Sequence, residues 1–171
     1  YVGFKGLGGR IPTNADGHVQ VNAVGTGKTY CKAEEWDKAS DVGVWVRCWT
    51  RAGALTDSKF TVLFTPPAAH LAYAWANSPL ASLYTPSSAH SSNPVGGAIS
   101  IRRVSVGQYT VTWTGVDGEI RVYGNVQVTA FGAGNAQCKA DGSLQRDGAH
   151  VQCFAASGVF MDTEFTVLLG S

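Results

Sequence analysis

The sequence has few charged residues, no long hydrophobic run and no helical periodicity. Charged side chains make up only 15% of the 171 residues and the formal net charge is +1, so no strong field would attract a polyanion. We therefore expect no nucleic-acid partner. No stretch reaches the roughly 18 apolar residues of a membrane-spanning helix, so we expect no membrane insertion. No window keeps the spacing of an amphipathic helix, which predicts almost no helix.

The short motifs that usually mark catalytic or metal sites are also missing. There is no CxxC pair for zinc, no acidic calcium loop and no GxSxG turn for a nucleophilic serine. The GTGK run at 25–28 is not followed by the helix that a phosphate-binding loop needs. These absences predict a protein that is not an enzyme and that carries no metal and no cofactor.

The remaining candidates for catalysis are scattered. A serine hydrolase would have to draw on His70 or His90, one of several loop serines, and Asp117 or Asp162. The serines stand at positions 87, 88, 91 and 92, in a segment whose polar composition already explains them. The adjacent acids at 34 and 35 fall in a predicted hairpin tip and should point apart, which argues against a glycosidase. The histidines at 18 and 150 fall on strand positions that we expect to face solvent.

What the sequence does contain is a stretch that occurs twice. The first copy runs from His18 to Phe64 and the second from Asn125 to Leu169, each with a final F-T-V-L strand. Residues 1–7 also match residues 110–116, with Gly6 opposite Gly115, so the first copy begins at Tyr1. The chain opens inside this strand-like run with no signal peptide, and we interpret it as a mature form or a fragment.

The four cysteines fall at equivalent places, one pair in each copy. An even, matched count predicts disulfides and an oxidising compartment. We expect Cys31 to pair with Cys48 and Cys138 with Cys153, because each pair closes a short loop inside its own repeat. A zinc site is the competing interpretation, and the scattered histidines argue against it.

Alternating apolar and polar residues predict a chain built of strands. The expected strands cover 18–24, 30–33, 42–50, 59–65, 69–77, 98–106, 108–115, 126–131, 137–139, 150–154 and 164–169. Residues 78–97 should form a long polar loop, and loops of that length are often functional or mobile. A complete unit then has seven strands, the number and spacing of an immunoglobulin-like sandwich.

The predicted fold class is therefore all-β, with two related immunoglobulin-like β-sandwich lobes that arose by internal duplication. Residues 1–67 form the first lobe, which lacks its first two strands, and residues 68–171 form the complete second lobe. The chain could be a fragment of a longer tandem array, or the middle strands could be shared between the lobes. Alternatively, a partner molecule could supply the missing strands, which predicts strand-mediated self-association. We favour two sandwich lobes in contact.

The repeat also carries a resemblance to a known group of proteins. The run YAWAN…GGAISI…GQYTVTWTG…NVQVTAFGAG, continued by CK…VQCF and the closing FTVL strand, resembles the tandem β-rich units of uncharacterised secreted actinobacterial proteins. It covers nearly the whole chain. That family has no established activity, so the resemblance implies a secreted bacterial protein with tandem architecture and assigns no catalytic residue.

The best candidate for a binding site is the outer face of the strand at 42–50. Trp45, Arg47 and Trp49 alternate with a valine face that ends at Cys48, and aromatic and arginine residues are enriched at binding hot spots. Trp36 could extend this face from the neighbouring strand, and Tyr84 is a further candidate in the 78–97 loop. The alternative is that this face packs on the other lobe or on the 78–97 loop.

Together these features predict a non-catalytic, secreted binding or structural module. Its partner would be an unknown protein or a glycan, since indole faces can stack on sugars. A secreted protease inhibitor that presents the 78–97 loop is the alternative function, because disulfide-braced β scaffolds with long loops suit that role. A hydrolase is a third.

Overall fold

The computed structural model describes residues 1–116, 124–145 and 147–170, and these residues are almost entirely β. The strands in chain order are β1 (Val2–Phe4), β2 (His18–Val24), β3 (Tyr30–Lys38), β4 (Val42–Trp49), β5 (Lys59–Thr65), β6 (Leu71–Ala76), β7 (Leu83–Tyr84), β8 (Ser91–Ser92), β9 (Ile99–Ser105), β10 (Gln108–Trp113), β11 (Asn125–Ala130), β12 (Gln137–Gln145), β13 (Gly148–Phe154) and β14 (Phe165–Gly170). Two short 3-10 turns lie at Gly8–Arg10 and Ser88–His90, and the described ranges contain no α-helix. The all-β prediction is confirmed.

The strands form four antiparallel sheets. Strands β1, β4 and β3 make one sheet in the order β1-β4-β3, and β2 pairs with β5 in a second. The third sheet has the order β12-β13-β10-β9-β7, and the fourth has the order β11-β14-β6-β8. We call β1–β5 the N-terminal lobe and β6–β14 the C-terminal lobe.

Both predicted disulfides are present. Cys31 and Cys48 lie directly opposite each other on β3 and β4, and Cys138 and Cys153 do so on β12 and β13. Each bridge therefore joins neighbouring strands within one sheet. In the chain-entropy picture, closing a loop of about 15 residues contributes roughly 3 kcal/mol. No cysteine of the described chain is free.

Each lobe has its own apolar core. In the C-terminal lobe, the inward residues of both sheets meet around Trp113, Phe165 and Val167, which are all fully buried. The core of the N-terminal lobe collects around Val19, Val42 and Val44 and also takes in residues of the C-terminal lobe, namely Phe131 and, at its edge, Trp75. The second core is thus shared across the contact between the lobes. No helix in the described ranges is long and apolar enough to cross a membrane.

Two segments are more ordered than the sequence pattern predicts. Strand β3 continues to Lys38 past a register shift between Ala33 and Glu35, so the hairpin tip is at residues 39–41 and not at 34–41. The predicted free loop at 78–97 instead contains β7, which pairs with β9, and β8, which pairs with β6. Strand β3 extends because it pairs with β4 up to Lys38 opposite Val42. Strands β7 and β8 form because they pair with β9 and β6, and such pairing between separated segments leaves no mark in the local sequence.

The first four residues of β2 are buried on both faces, and this corrects the prediction that His18 faces solvent. Val19 and Val21 point into the N-terminal core, while His18 and Gln20 are covered by the C-terminal lobe and are 1% and 2% exposed. The Gln20 amide donates to the Thr166 carbonyl at 3.2 Å, and the Thr166 hydroxyl donates to the Val19 carbonyl at 2.9 Å. The polar face of β2 is therefore the surface that joins the lobes.

Candidate functional site

Four aromatic rings gather where the two lobes meet. Trp36 lies 5.4 Å from Trp75, 5.0 Å from Phe131 and 5.2 Å from His90, measured between ring centroids. All of these pairs meet edge to face, the arrangement that the charge distribution of aromatic rings favours. The rings border a groove of about 440 Å3, which we call the inter-lobe groove. Its lining is Glu34, Glu35, Trp36, Trp75, His90, Phe131 and Ala133.

Each ring is brought to the groove by a different element. Trp36 lies on β3 opposite Val44, and Trp75 lies on β6 opposite Thr166. Phe131 follows β11, where its amide donates to the Glu164 carbonyl at 2.8 Å. His90 ends the 3-10 turn at Ser88–His90. The groove therefore depends on contact between the lobes and on the ordered 78–97 segment.

Hydrogen bonds fix the polar edges of these rings. The Trp36 indole N–H donates to the Asp16 carbonyl at 3.1 Å, and that of Trp75 donates to the Glu164 carboxylate at 3.2 Å. The Nε2 atom of His90 lies 3.6 Å from the Asp16 carboxylate. Because the indole N–H groups are already bound, the rings offer chiefly apolar surface to the groove.

Burial shifts the pKa values of three groups in or near the groove in the direction that favours their neutral forms. Loss of solvent lowers the pKa of His90, although the Asp16 carboxylate opposes this. Burial also raises the pKa of Glu164, against its hydrogen bond from Trp75. Nearby Lys32, whose ammonium donates to the Phe131 carbonyl at 3.2 Å, has a pKa lowered by burial to about 8. The groove thus has aromatic walls, with the carboxylates of Glu34 and Glu35 in its lining and those of Asp16 and Glu164 bonded at its edge.

The predicted Trp45–Arg47–Trp49 face is not a continuous exposed surface. Trp45 is 37% exposed and meets the ring of Tyr1 edge to face at 4.9 Å. The Arg47 side chain bonds the Glu34 carboxylate at 2.5 Å. Trp49 is only 3% exposed, because Tyr30 stacks on it at 5.7 Å. The exposed part of this face is therefore limited to Tyr1, Trp45 and Arg47.

The other two predicted site residues lie elsewhere. Trp36 does not extend the Trp45 face, since its side chain is 8% exposed and turns into the N-terminal core and the inter-lobe groove. Tyr84 on β7 packs against the C-terminal core, and its hydroxyl accepts from the Ser78 amide at 3.2 Å. Burial raises the pKa of Tyr84. The structure thus brings Trp36 to a candidate site, leaves Trp45 and Arg47 on a second surface, and separates Tyr84 from both.

The alternative interpretation, that the Trp45–Arg47–Trp49 face packs on the other lobe, applies only at its Trp49 end. The Tyr30 hydroxyl donates to the Asn135 carbonyl at 2.6 Å, so the residue that covers Trp49 is tied to the C-terminal lobe. Trp45, in contrast, keeps more than a third of its surface exposed. The lobes meet mainly through the polar face of β2 and not through the outer face of β4.

The candidates for serine catalysis do not converge in the described part of the chain. The Ser91 hydroxyl donates to the Ser87 carbonyl, and the Ser87 hydroxyl accepts from the Ala89 amide. Asp162 binds Arg103 and Tyr109 in the C-terminal lobe, so it is not free to orient a histidine. Asp117 lies outside the described residues. Among those described, no cluster of potential metal ligands occurs either.

Sequence reasoning missed the inter-lobe groove because its members are distant in the chain. The alternation of residues 69–77 predicts a core position for Trp75, and His90 is a candidate only as the partner of a catalytic serine. Neither local periodicity nor the repeat indicates that β6 and the 78–97 segment reach the N-terminal lobe. The Asp16 amide donates to the Ala89 carbonyl at 2.7 Å, and this hydrogen bond helps to hold the 78–97 segment against the N-terminal lobe. Nothing in the sequence around these two residues indicates that they meet.

Comparison of the chain with protein-family models, with curated proteins and with solved structures finds no match. The resemblance to tandem β-rich units of secreted actinobacterial proteins therefore stays a prediction.

Proposed function

We propose that this chain is a non-catalytic extracellular module that binds a carbohydrate in the inter-lobe groove. We further propose that its two lobes are related immunoglobulin-like sandwiches that arose by internal duplication. The observation that carries the binding proposal is the groove itself, with aromatic walls contributed by both lobes. Its volume of about 440 Å3 lies within the range of small-molecule sites.

The extracellular location is supported by the two disulfides, which persist in oxidising compartments. The duplication is supported by equivalent placement of these bridges, each between directly opposed strand residues. The resemblance to tandem units of secreted bacterial proteins agrees with both. The two copies of the repeat have kept their disulfides but differ in their aromatic residues. This pattern is typical of a scaffold whose copies have acquired different binding surfaces.

The chemistry of the groove favours a neutral, hydroxyl-rich ligand. The C–H faces of a sugar ring are slightly positive and apolar, so they pack on the negative faces of aromatic rings. The Glu35 carboxylate is exposed and lines the groove, and a carboxylate can accept hydrogen bonds from sugar hydroxyls. The lowered pKa of His90 keeps that ring neutral near pH 7, which removes a reason to select an anion.

A glycan array followed by titration of tryptophan fluorescence tests the proposal. We expect the full chain to bind one class of neutral glycan, and we expect Trp75→Phe to weaken binding about tenfold. This variant keeps an aromatic ring in the shared core but loses part of the indole surface and its hydrogen bond to Glu164. Near-UV circular dichroism should confirm that the variant remains folded.

Trp45→Ala is the matched control, because Trp45 lies on the outer face of β4 and is 37% exposed. Glycan affinity should be the same in this variant as in the parent chain. Affinity lost in Trp45→Ala and kept in Trp75→Phe would move the site to the outer face and contradict the groove. If no glycan binds, the carbohydrate proposal is rejected. A protein that binds the groove would then be the ligand to seek.

A protease inhibitor is the second candidate, and one observation favours it. Leu80 is 76% exposed and Leu83 54% exposed, although pairing of β7 with β9 holds their segment in place. A rigid segment with an exposed apolar side chain is what a protease subsite can accept at low entropic cost. Inhibition of a secreted protease that Leu80→Asp abolishes would favour this function, and no inhibition at micromolar concentration would reject it.

A further inference from the structure

A second groove lies at the boundary between the lobes, where β3 and β12 begin. Its volume of about 660 Å3 lies within the range of small-molecule sites. The N-terminal lobe lines it with residues 28–30 and Arg51, and the C-terminal lobe lines it with residues 137–139 and 154–158. It has no lining residue in common with the inter-lobe groove, so the two are separate candidates for ligand binding.

The charged side chains in this lining are all positive. Lys28 and Arg51 belong to the N-terminal lobe and Lys139 to the C-terminal lobe, and all three are exposed. As far as the structure describes it, the lining contains no aspartate and no glutamate. The whole chain has 13 lysine and arginine residues against 12 acidic residues, so its net charge of +1 does not show this local excess. We call this groove the basic groove.

Hydrogen bonds between the lobes hold the two sides of the basic groove together. The Tyr30 hydroxyl donates to the Asn135 carbonyl at 2.6 Å, and the Asn135 side-chain amide donates to the Gly53 carbonyl at 3.4 Å. Gly53 follows closely after Arg51, and Asn135 comes shortly before Lys139. The segments that carry the cations are therefore tied to each other, and a preformed site costs less to order when a ligand binds.

The side chain of Lys139 is also held in position. Its ammonium lies 5.4 Å from the centroid of the Phe154 ring, within the range of a cation–π contact. The Phe154 ring in turn stacks on the Phe160 ring, with 4.8 Å between their centroids. A cation–π contact engages the ring face and no hydrogen-bond acceptor, so it orients Lys139 without using the capacity of its ammonium to donate.

The equivalent lysine of the N-terminal lobe, Lys32, has a different environment. Lys32 lies over the Trp49 ring at 5.3 Å, as Lys139 lies over that of Phe154, but Lys32 is only 1% exposed. Its ammonium donates to the Phe131 carbonyl at 3.2 Å. One stacked lysine therefore joins the lobes, whereas the other presents its charge to the basic groove.

We propose that the basic groove binds a small organic anion that carries two or more sulfate or phosphate ester groups. Each such group has three outer oxygens that accept hydrogen bonds, so one group can bond more than one cation. The Arg51 guanidinium offers a planar fork of donors that binds these oxygens in pairs, while Lys28 and Lys139 act as point charges. Because the cations come from both lobes, a ligand with separated groups engages all three. This site and its charged ligand are distinct from the neutral glycan proposed for the inter-lobe groove.

Isothermal titration calorimetry of the full chain tests the proposal with two probes, sucrose octasulfate and inositol hexakisphosphate. At low ionic strength we expect at least one of them to bind with one-to-one stoichiometry and micromolar affinity. The affinity should fall as salt is added, because charges in an exposed groove are screened. Sucrose and inositol, which lack the ester groups, should not compete. The tighter of the two probes shows whether the groove prefers sulfate or phosphate esters.

Variants of the chain separate binding in the groove from general attraction between charges. Arg51→Gln and Lys139→Gln should each weaken binding of the tighter probe about tenfold, since hydrogen bonds to charged groups are the strong ones. Arg51→Lys keeps the charge but loses the paired bonds, so its loss should be smaller than that of Arg51→Gln. Arg102→Gln is the matched control, because it removes one exposed positive charge from β9, outside the groove. Its affinity should stay within about twofold of the parent value.

Three outcomes would overturn the proposal. The first is no saturation by either probe up to about 1 mM. The second is an equal loss of affinity in Arg51→Gln and Arg102→Gln, which indicates charge attraction alone. The third is anion binding that is lost in Trp75→Phe and kept in Lys139→Gln, because the anion then occupies the inter-lobe groove. None of these results depends on whether the inter-lobe groove binds a neutral glycan.

Discussion

Strands β5 and β14 contain the same run, Phe-Thr-Val-Leu, but differ sharply in burial. In β14, Phe165 and Val167 are fully buried and Leu168 is 6% exposed. In β5, Phe60 and Val62 are partly exposed and Leu63 is 45% exposed. The neighbours explain the difference. Strand β14 lies between β11 and β6 and under β2 of the other lobe, whereas β5 pairs only with β2.

Strands β2 and β11 show the reverse difference, although they carry matching sequences, HVQV and NVQV. His18 is buried and the equivalent Asn125 is exposed. Here it is the N-terminal strand that gains a neighbour, because its polar face lies against the C-terminal lobe. The burial of a repeat position is therefore set by the elements around it and not by the strand's own alternation.

The largest expected effect comes from removing the equivalent phenylalanine side chain from each lobe. Phe165→Ala should reduce the free energy of unfolding by about 3–5 kcal/mol, the range for a fully buried phenylalanine. Phe60→Ala should cost only about 1–2 kcal/mol, because part of its surface already contacts water. Urea unfolding followed by far-UV circular dichroism measures both. Equal losses in the two variants would show that β5 is as covered in solution as β14.

The second prediction concerns His18, whose complete burial lowers its pKa from 6.5 to about 3. The unfolded chain takes up a proton below pH 6.5, while the folded protein keeps His18 neutral until about pH 3. Stability from this group is therefore full above pH 6.5 and falls as the pH decreases. Between pH 6.5 and 4.5 the loss should be about 2–3 kcal/mol.

His18→Gln isolates this contribution from that of the other titrating groups. Glutamine is neutral at every pH and can keep a polar contact with Gln20, whose amide lies 2.9 Å from the His18 Nε2 atom. The difference in unfolding free energy between parent and variant should change with pH by the amount expected for His18. A difference that stays constant from pH 6.5 to 4.5 would mean that His18 reaches solvent and that the lobes separate.

The sequence predicts the features that depend on neighbouring residues, but not those that depend on contacts between distant segments. The disulfide pairing, the burial of Val42, Val44 and Cys48 on one face of β4, and the absence of α-helix from the described residues depend on short-range pattern, and the structure confirms them. The burial of His18, the pairing of β7 and β8, and the position of Trp36 beside Trp75 depend on contacts between distant segments. The expectation that Trp49 is exposed was wrong because alternation cannot reveal that Tyr30 stacks on it.

The smallest expected effect comes from Asp57 and Asp162, which occupy equivalent positions. Each follows an isolated bridge, Trp49 to Leu55 in one lobe and Phe154 to Phe160 in the other. The Arg103 guanidinium, together with hydrogen bonds from Gly107 and Tyr109, outweighs the opposing effect of burial and lowers the pKa of Asp162 from 3.8 to about 2. Its stabilising contribution is therefore present above pH 3.8 and is lost as the pH falls toward 2. Asp162→Asn should cost about 2 kcal/mol at pH 7, since it weakens charge-assisted hydrogen bonds.

Asp57→Asn should change stability by less than about 0.5 kcal/mol, because no side chain bonds its carboxylate in the described structure. Thermal unfolding of both variants compares the lobes directly. A large cost at Asp57 would mean that another group bonds its carboxylate in solution.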